Sequence, residues 1–338
     1  MKVWMLVIVL AAITIAVPRA GQAADPIVIR FSHVVAEDTP KGKAAAFFKR
    51  RAEELTAGRV LVEVHPNSTL YKDRDELEAL QLGAVQMLAP SLAKFGMLGL
   101  PEFEVFDLPY IFDDEVSLER VTNGPIGQQL LDSLGSRGIK GLAFWNNGFK
   151  SFSANTPILK PEDLSGKRMR IQSSRVLEEQ MLALGAIPQM MAFSEVYDAL
   201  RIGVVDGTEN PHSNLYSQHM HEVQKHITLT EHGYLGYMVI TNRKFWDGLP
   251  RAIRRQLEQA LKEASEYANR IAREENERAI ALVRAAGTTE IHQLDAAGRQ
   301  AFRDALLPVH ARMAPRIGAD LIRRIYAETG FDPGGAIR

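Results

Sequence analysis

Short runs of apolar and β-branched residues take turns along this chain with longer stretches that read as helix. Ile27-Val28-Ile29-Arg30-Phe31-Ser32 predicts a first strand. Thr39 to Thr56 predicts a helix, with Thr39 as its cap, Pro40 in the first turn and Gly58 at its end. Val60 to Val64 and Val85 to Leu88 predict two more strands around a short helix over Arg74 to Leu82. Strand, helix, strand, helix, strand at this spacing points to a parallel α/β sheet.

A second unit follows. Lys140 to Asn146 predicts a strand and Asn147-Gly148 a turn; Lys150 to Ala154, Lys167 to Ile171 and Leu235 to Thr241 are further strand candidates. Helices at Val176–Leu184 and Ser194–Ile202 separate them, the latter with Ser194 as a plausible cap. The longest helical stretch runs from Pro250 to about Ala286, with no Gly or Pro after Pro250, and Gly287 closes it. At ~1.5 Å per residue it would extend ~55 Å, longer than one small domain, so it is expected to span two. Two helices joined without a marked break are the alternative.

The first 24 residues read as a signal peptide. Lys2 gives the positive start, Val3 to Val17 is an apolar run of 15 residues ended by Pro18, and Gly21 to Ala24 offers small residues for cleavage. A membrane span needs about 20 such residues, so an uncleaved anchor is the lesser reading. No later stretch approaches that length, so a soluble exported protein is expected. Of 40 Lys and Arg residues, Lys2 and Arg19 lie in the leader, leaving 38 against 41 acids and a formal charge of −3. That is no electrostatic footprint for nucleic acid. Without cysteine there are no disulfides, thiolate metal sites or cysteine nucleophiles, and the length after the leader favours two domains.

Enzyme motifs are missing: there is no phosphate loop, no Gly-x-Gly-x-x-Gly and no Gly-x-Ser-x-Gly elbow. His221 and His226 are five apart rather than four, off a common helix face, and His212, His219, His221, His226 and His232 show no ligand spacing, so no metal site is expected. Arg168 and Arg170 are two apart in a strand, so they share a face, with Met169 and Ile171 on the other. The arginine nearer the strand end is placed to point into a cleft, where ligands of parallel sheets sit and where its paired N–H donors match a carboxylate. A surface salt bridge fits the same pattern. In Val205-Asp206-Gly207-Thr208-Glu209-Asn210-Pro211, Gly207 permits a tight backbone and Pro211 holds Asn210 extended, offering a donor and an acceptor; a helix-initiating turn is the plainer reading.

Taken in order, several stretches resemble the extracytoplasmic solute receptors of tripartite ATP-independent periplasmic (TRAP) transporters, in their C4-dicarboxylate-binding, DctP-like branch. They are Phe31 to Gly42, Asp107-Leu108-Pro109-Tyr110, Asn147-Gly148-Phe149-Lys150, Gly166 to Arg170, Met191 to Tyr197, Val205 to Pro211 and Glu222 to His226. The resemblance implies the two-domain periplasmic-binding-protein (Venus flytrap) fold, α/β, with crossing hinge strands and a long domain-spanning helix. It implies domains of residues 25–147 plus 237–276 and 148–236 plus 277–338. Matched motif to motif, Arg170 is the carboxylate-binding arginine, Asn210 contacts the same ligand end and Phe193 lines the pocket. Lys150 stands where sialic-acid receptors carry a second arginine, and Ser173 where they carry an asparagine. Both departures argue against sialic acid, and Lys150 is left for a second carboxylate. His33, Glu37, Ser91, Tyr234 and Tyr237 are further pocket candidates by position.

The expected function is a periplasmic receptor that binds malate, succinate or fumarate and passes it to the small and large integral membrane subunits, with no cofactor, no catalytic residue and no nucleic acid. One carboxylate would pair with Arg170 and Asn210, the other with Lys150, assisted by His33. The alternatives are a receptor for another organic acid (a monocarboxylate or sugar acid), a structural or sensory partner, or a periplasmic organic-acid enzyme with His33 as its base.

Overall fold

The computed structural model describes residues 25–333, so the expected leader lies outside the described residues. One sheet of nine strands organises the chain. They are β1 (Ile27–Ser32), β2 (Val60–His65), β3 (Met87–Leu88), β4 (Ile139–Ala154), β5 (Arg168–Ile171), β6 (Ile187–Met190), β7 (Gly207–Asn210), β8 (His226–Asn242) and β9 (Glu290–Gln293). The order is β2-β1-β3-β8-β4-β7-β5-β6, with β9 also on β8. Strands β1, β2 and β3 are parallel, as are β5, β6 and β7, and the antiparallel pair β4–β8 joins the two groups. Each group, with its helices, forms one lobe of a two-domain α/β fold.

The expected turn at Asn147-Gly148 is instead a bulge inside the continuous 16-residue strand β4. Registers shift between Asn146 and Gly148, so the strand bends without ending. Gly148 has φ +109°, and a Cβ there would lie 2.6 Å from Asn276 Nδ2 on the long helix. The Asn-Gly pair reads as a turn in the sequence, but the left-handed glycine serves a kink instead. The expected strand Leu235–Thr241 is likewise the end of the 17-residue β8.

Helix Pro40–Leu55 forms where expected; Thr39 Oγ1 accepts from Gly42 N at 3.1 Å. Helix Arg175–Ala183 is capped by Ser174, while Ser194 caps nothing and sits inside a short 3₁₀ turn, Phe193–Glu195, ahead of helix Val196–Arg201. The long helix is a single element, Arg251–Ala286, ended by left-handed Gly287. Its first half buries Ile253, Leu257, Ala260, Ala264 and Ala268 with Ala44, Ala45, Phe48 and Ala52 of helix Pro40–Leu55. Ala260, Ala264 and Ala268, four apart on the long helix, face the small Ala44, Ala45 and Ala52 of its partner and let the two helices approach closely. Its far end buries Val283 with Val196, Leu200 and Leu215 of the other lobe, so it spans both. The C-terminal helices Pro308–Ile317 and Ala319–Thr329 pack on residues 100–134, where Arg316 pairs with the buried Glu104 at 2.7 Å. Among the described residues no helix is long and apolar enough to cross a membrane.

Candidate functional site

The site lies where the carboxyl ends of β1, β3, β5 and β7 converge between the lobes, the usual ligand position in such sheets. Arg170 stands near the end of β5, with Met169 and Ile171 buried on the opposite face in the second lobe's core. Arg168 turns outward to Asp206, with an Nη2–Oδ1 distance of 2.7 Å. Arg170 is only 2 % exposed; its Nε and Nη2 donate to Met191 O at 3.1 and 2.8 Å. Among the described residues no carboxylate lies within ion-pair reach of it. Burial works against its charge, and the more distant Asp73 and Glu209 offset that in part. A buried guanidinium bonded to one neutral carbonyl is a cation held ready for an anion.

Two adjoining cavities surround it. One is lined by Asp73, Lys94, Arg170, Gln172, Ser173 and Met191, the other by Ser91, Lys94, Phe193, Asn210, Asn214 and Tyr237 among others. The structure therefore gathers six of the ten expected residues: Arg170, Asn210, Phe193, Ser91, Ser173 and Tyr237. Each cavity leaves about 10 Å³ of free space, so the lobes are closed on each other. A much larger concavity, about 1010 Å³, lies elsewhere, between the long helix and residues 115–144, and none of the expected site residues lines it.

The local sequence explains the placements. The segment expected to be a turn is strand β7, ending at Asn210, and helix His212–Ser217 starts just after Pro211. A Cβ at Gly207 would lie 2.4 Å from Ser153 O on β4, so the close pairing there needs glycine. Ser91 caps the 3₁₀ turn Leu92–Leu98 and bridges to Tyr237. A chain of amides ties the site to the long helix. Asn276 donates to Asn147 O at 2.7 Å, Asn147 to Asn214 Oδ1 at 3.1 Å, and Asn214 to Tyr237 Oη at 3.1 Å.

Sequence reasoning missed Lys94, which lines both cavities. It is 2 % exposed and pairs with Asp73 at 2.5 Å and with Glu76. Burial alone would raise Asp73, but Lys94, the Phe193 N–H and Arg170 draw it down to about 2. Asp73 Oδ2 accepts from Phe193 N at 2.7 Å, linking the lobes beside Arg170. Lys41, also missed, donates to Ala89 O at 2.9 Å and sits 3.7 Å from the Tyr237 ring centre; burial and Lys94 lower it to about 7. The one signal in the sequence was a lysine inside the apolar run Leu92-Ala93-Lys94-Phe95.

Four expected residues lie elsewhere. Lys150 is buried in an ion pair with Glu209 at 2.5 Å, and Glu209 also accepts from His232 Nε2 and Gln180 Nε2, each at 2.8 Å. Its charge is spent inside this satisfied network, away from both cavities, because β4 and β7 pair side by side there. Glu37 is exposed to solvent. His33 is fully buried against Phe31, and neither ring nitrogen has a well-formed partner. Burial, then Lys41, lowers it to about 3, which removes it as a general base at neutral pH. Tyr234 packs among Phe106, Phe112 and Phe149 instead of entering the cavities.

Burial also lowers His212 and His310 to about 4, although the Pro109 carbonyl that accepts from His310 opposes the shift. Folded values below the unfolded ~6.5 mean that the unfolded chain binds more protons in between. This stability is therefore fully present above pH ~6.5 and is lost as the pH falls towards 4. Each of the three histidines contributes up to about 1.4 kcal/mol per pH unit. Urea unfolding midpoints are expected to drop clearly between pH 7.5 and 5; equal midpoints would show that these rings are protonated in the folded protein.

Comparison with known proteins places this geometry in context. The family model described as "Bacterial extracellular solute-binding protein, family 7" matches residues 31–316. The chain is 63% identical over 306 residues to the C4-dicarboxylate-binding periplasmic protein DctP of Rhodobacter capsulatus, covering 90% of this chain and 92% of that one. It is 43% identical over 302 residues to the C4-dicarboxylate-binding protein DctB of Bacillus subtilis (89% and 86% covered). Among solved structures, a TRAP periplasmic solute binding protein from Shewanella oneidensis with bound succinate superposes with TM-score 0.88 at 42% identity, covering 90% and 99% of the chains. One from Pseudomonas aeruginosa with bound L-malate gives TM-score 0.83 at 44% identity, covering 85% and 100%.

Proposed function

We infer the function of this chain from its family and its site: it belongs to the bacterial extracellular solute-binding proteins of family 7, and it is a receptor for a C4-dicarboxylate, not an enzyme. We read it as a periplasmic protein, exported by a cleaved leader, that hands succinate, malate or fumarate to the small and large membrane subunits of a TRAP transporter. The observation that carries the ligand class is the buried Arg170 guanidinium without a carboxylate partner, at the carboxyl ends of the strands.

One ligand carboxylate takes the free edge of Arg170 and a bond from Asn210. The other takes Lys94, which has three donors and uses two on Asp73 and Glu76, together with Ser91. Lys150 is not part of this reading. Tight cavities mean that loading requires the lobes to part. The bulge at Asn146–Gly148 supports a hinge at the proposed boundary between 25–147 plus 237–276 and 148–236 plus 277–338. Contacts that would break on opening include Asp73 to Phe193, Lys72 to Glu195 and Gln218 to Asn67. A ligand bonded to both lobes biases the closed form by its extra contacts there.

Calorimetric titration of residues 25–338 against succinate, malate, fumarate and pyruvate tests this. Micromolar or tighter binding of the diacids alone is expected, which needs about 8 kcal/mol net. Binding of pyruvate alone would keep the receptor and remove Lys94 from its role; no binding of any acid would overturn the ligand class.

A further inference from the structure

Away from the ligand site, two histidines and a glutamate converge on one face of the β8–β9 ladder. His226 lies opposite Glu290, and His292 follows two residues later on the same side of β9. His226 Nδ1 and His292 Nε2 are 2.9 Å apart, and Glu290 Oε2 is 3.6 Å from His226 Nδ1. One potential ligand atom from each residue falls within 4.8 Å of the others. Both imidazoles are mostly buried, with side chains 18 % and 14 % exposed, whereas Glu290 is 68 % exposed and free to swing. Spacing hid the group: 66 residues separate His226 from His292, and only the return of the chain after the long helix brings them together.

We propose that His226, His292 and Glu290 form a binding site for one divalent first-row transition ion, with zinc the natural probe. Two nitrogens and one carboxylate oxygen suit zinc, nickel or copper, whereas calcium and magnesium prefer oxygen alone. Ligands at roughly 2.0–2.1 Å from a metal stand about 3.0–3.3 Å from each other when adjacent. The two nitrogens therefore need to separate by only a few tenths of an ångström, and the exposed glutamate, 3.6 Å from His226 Nδ1, to swing inward until it reaches both. Open positions are left for water. Lys225 opposes a cation at His226, and Glu290 offsets it. The ion would clip β9, a four-residue strand paired among the described residues with β8 alone, directly after the end of the long helix. That would fasten the helix's far end to the second lobe.

The test uses the purified protein without an affinity tag. Zinc titration by calorimetry and cobalt absorption spectroscopy are expected to give one ion per chain and a rise in the thermal midpoint. His292→Ala and Glu290→Gln are each expected to weaken zinc binding more than about tenfold and to abolish the midpoint rise. His219→Ala, at an exposed histidine outside the group, is expected to leave zinc binding unchanged. Succinate titration should be the same for His292→Ala and the parent, which shows that the variant is folded. Zinc binding that survives both substitutions, or none in the parent, would overturn the site and leave a pair of imidazoles sharing a proton.

Discussion

Replacing Arg170 with lysine is expected to weaken succinate binding about 100-fold, whereas the same change at Arg168 leaves it unaltered. The two arginines are two residues apart on one strand, yet their surroundings differ. Arg168 lies at the surface with its own carboxylate, Asp206, and an exposed pair of that kind contributes little. Arg170 is buried, and Met191 O occupies its Nε and Nη2. The ligand carboxylate meets what remains of the planar fork. A lysine offers a point charge on a flexible stem and cannot hold Met191 O and the ligand in the same geometry. Losing one or two charge-assisted bonds, each worth about 1.5–3 kcal/mol, corresponds to roughly the predicted factor. Calorimetry on both variants, with circular dichroism to confirm folding, decides it. Affinity within threefold of the parent for Arg170→Lys would remove the guanidinium from the centre of the site.

Much of the fold was legible because the local signals agreed with the tertiary structure. Thr39-Pro40 opened a helix, an uninterrupted run without Gly or Pro made one helix of 36 residues, and β-branched runs made β1 and β2. Where single residues had two uses, local reading chose the commoner one. Asn147-Gly148 resembles a hairpin turn, but pairing with β8 on both sides carries the strand through it as a bulge. Strand β6 contains Pro188 and lies at the sheet edge, and β9 pairs with the distant β8, so neither showed an alternating pattern. The same division holds at the site. Arg170 and Asn210 sit at strand ends that the sequence marks. Lys94 and Asp73 are brought there by a 3₁₀ turn and a loop, whose packing no periodicity encodes. Lys150 matched a motif position, but whether its charge is free depends on Glu209, 59 residues away.

Lys94→Gln is expected to cut succinate affinity at least ~30-fold while leaving the binding of butyrate, the same four-carbon chain with a methyl group in place of one carboxylate, nearly constant. Truncating one member of a buried charge pair costs about 2–5 kcal/mol, and each 1.4 kcal/mol is tenfold. The ratio between the two ligands, more than either affinity alone, reports on the second carboxylate, because damage common to both cancels. That cancellation matters here. Lys94 also neutralises Asp73 and Glu76, and Asp73 holds Phe193 N across the lobes, so its loss disturbs the closed cleft as well as the ligand. Glu76 is already pushed up by burial, so it can take a proton when the ammonium is gone. The double variant Lys94→Gln/Glu76→Gln avoids the stranded carboxylate and is expected to show the same collapsed ratio with better stability. Lys94→Arg, which keeps the charge, should preserve the preference for succinate. If the succinate-to-butyrate ratio is unchanged in Lys94→Gln, the second carboxylate is held by neutral donors such as Ser91 and Gln172, and Lys94 serves only to fix Asp73 against Phe193.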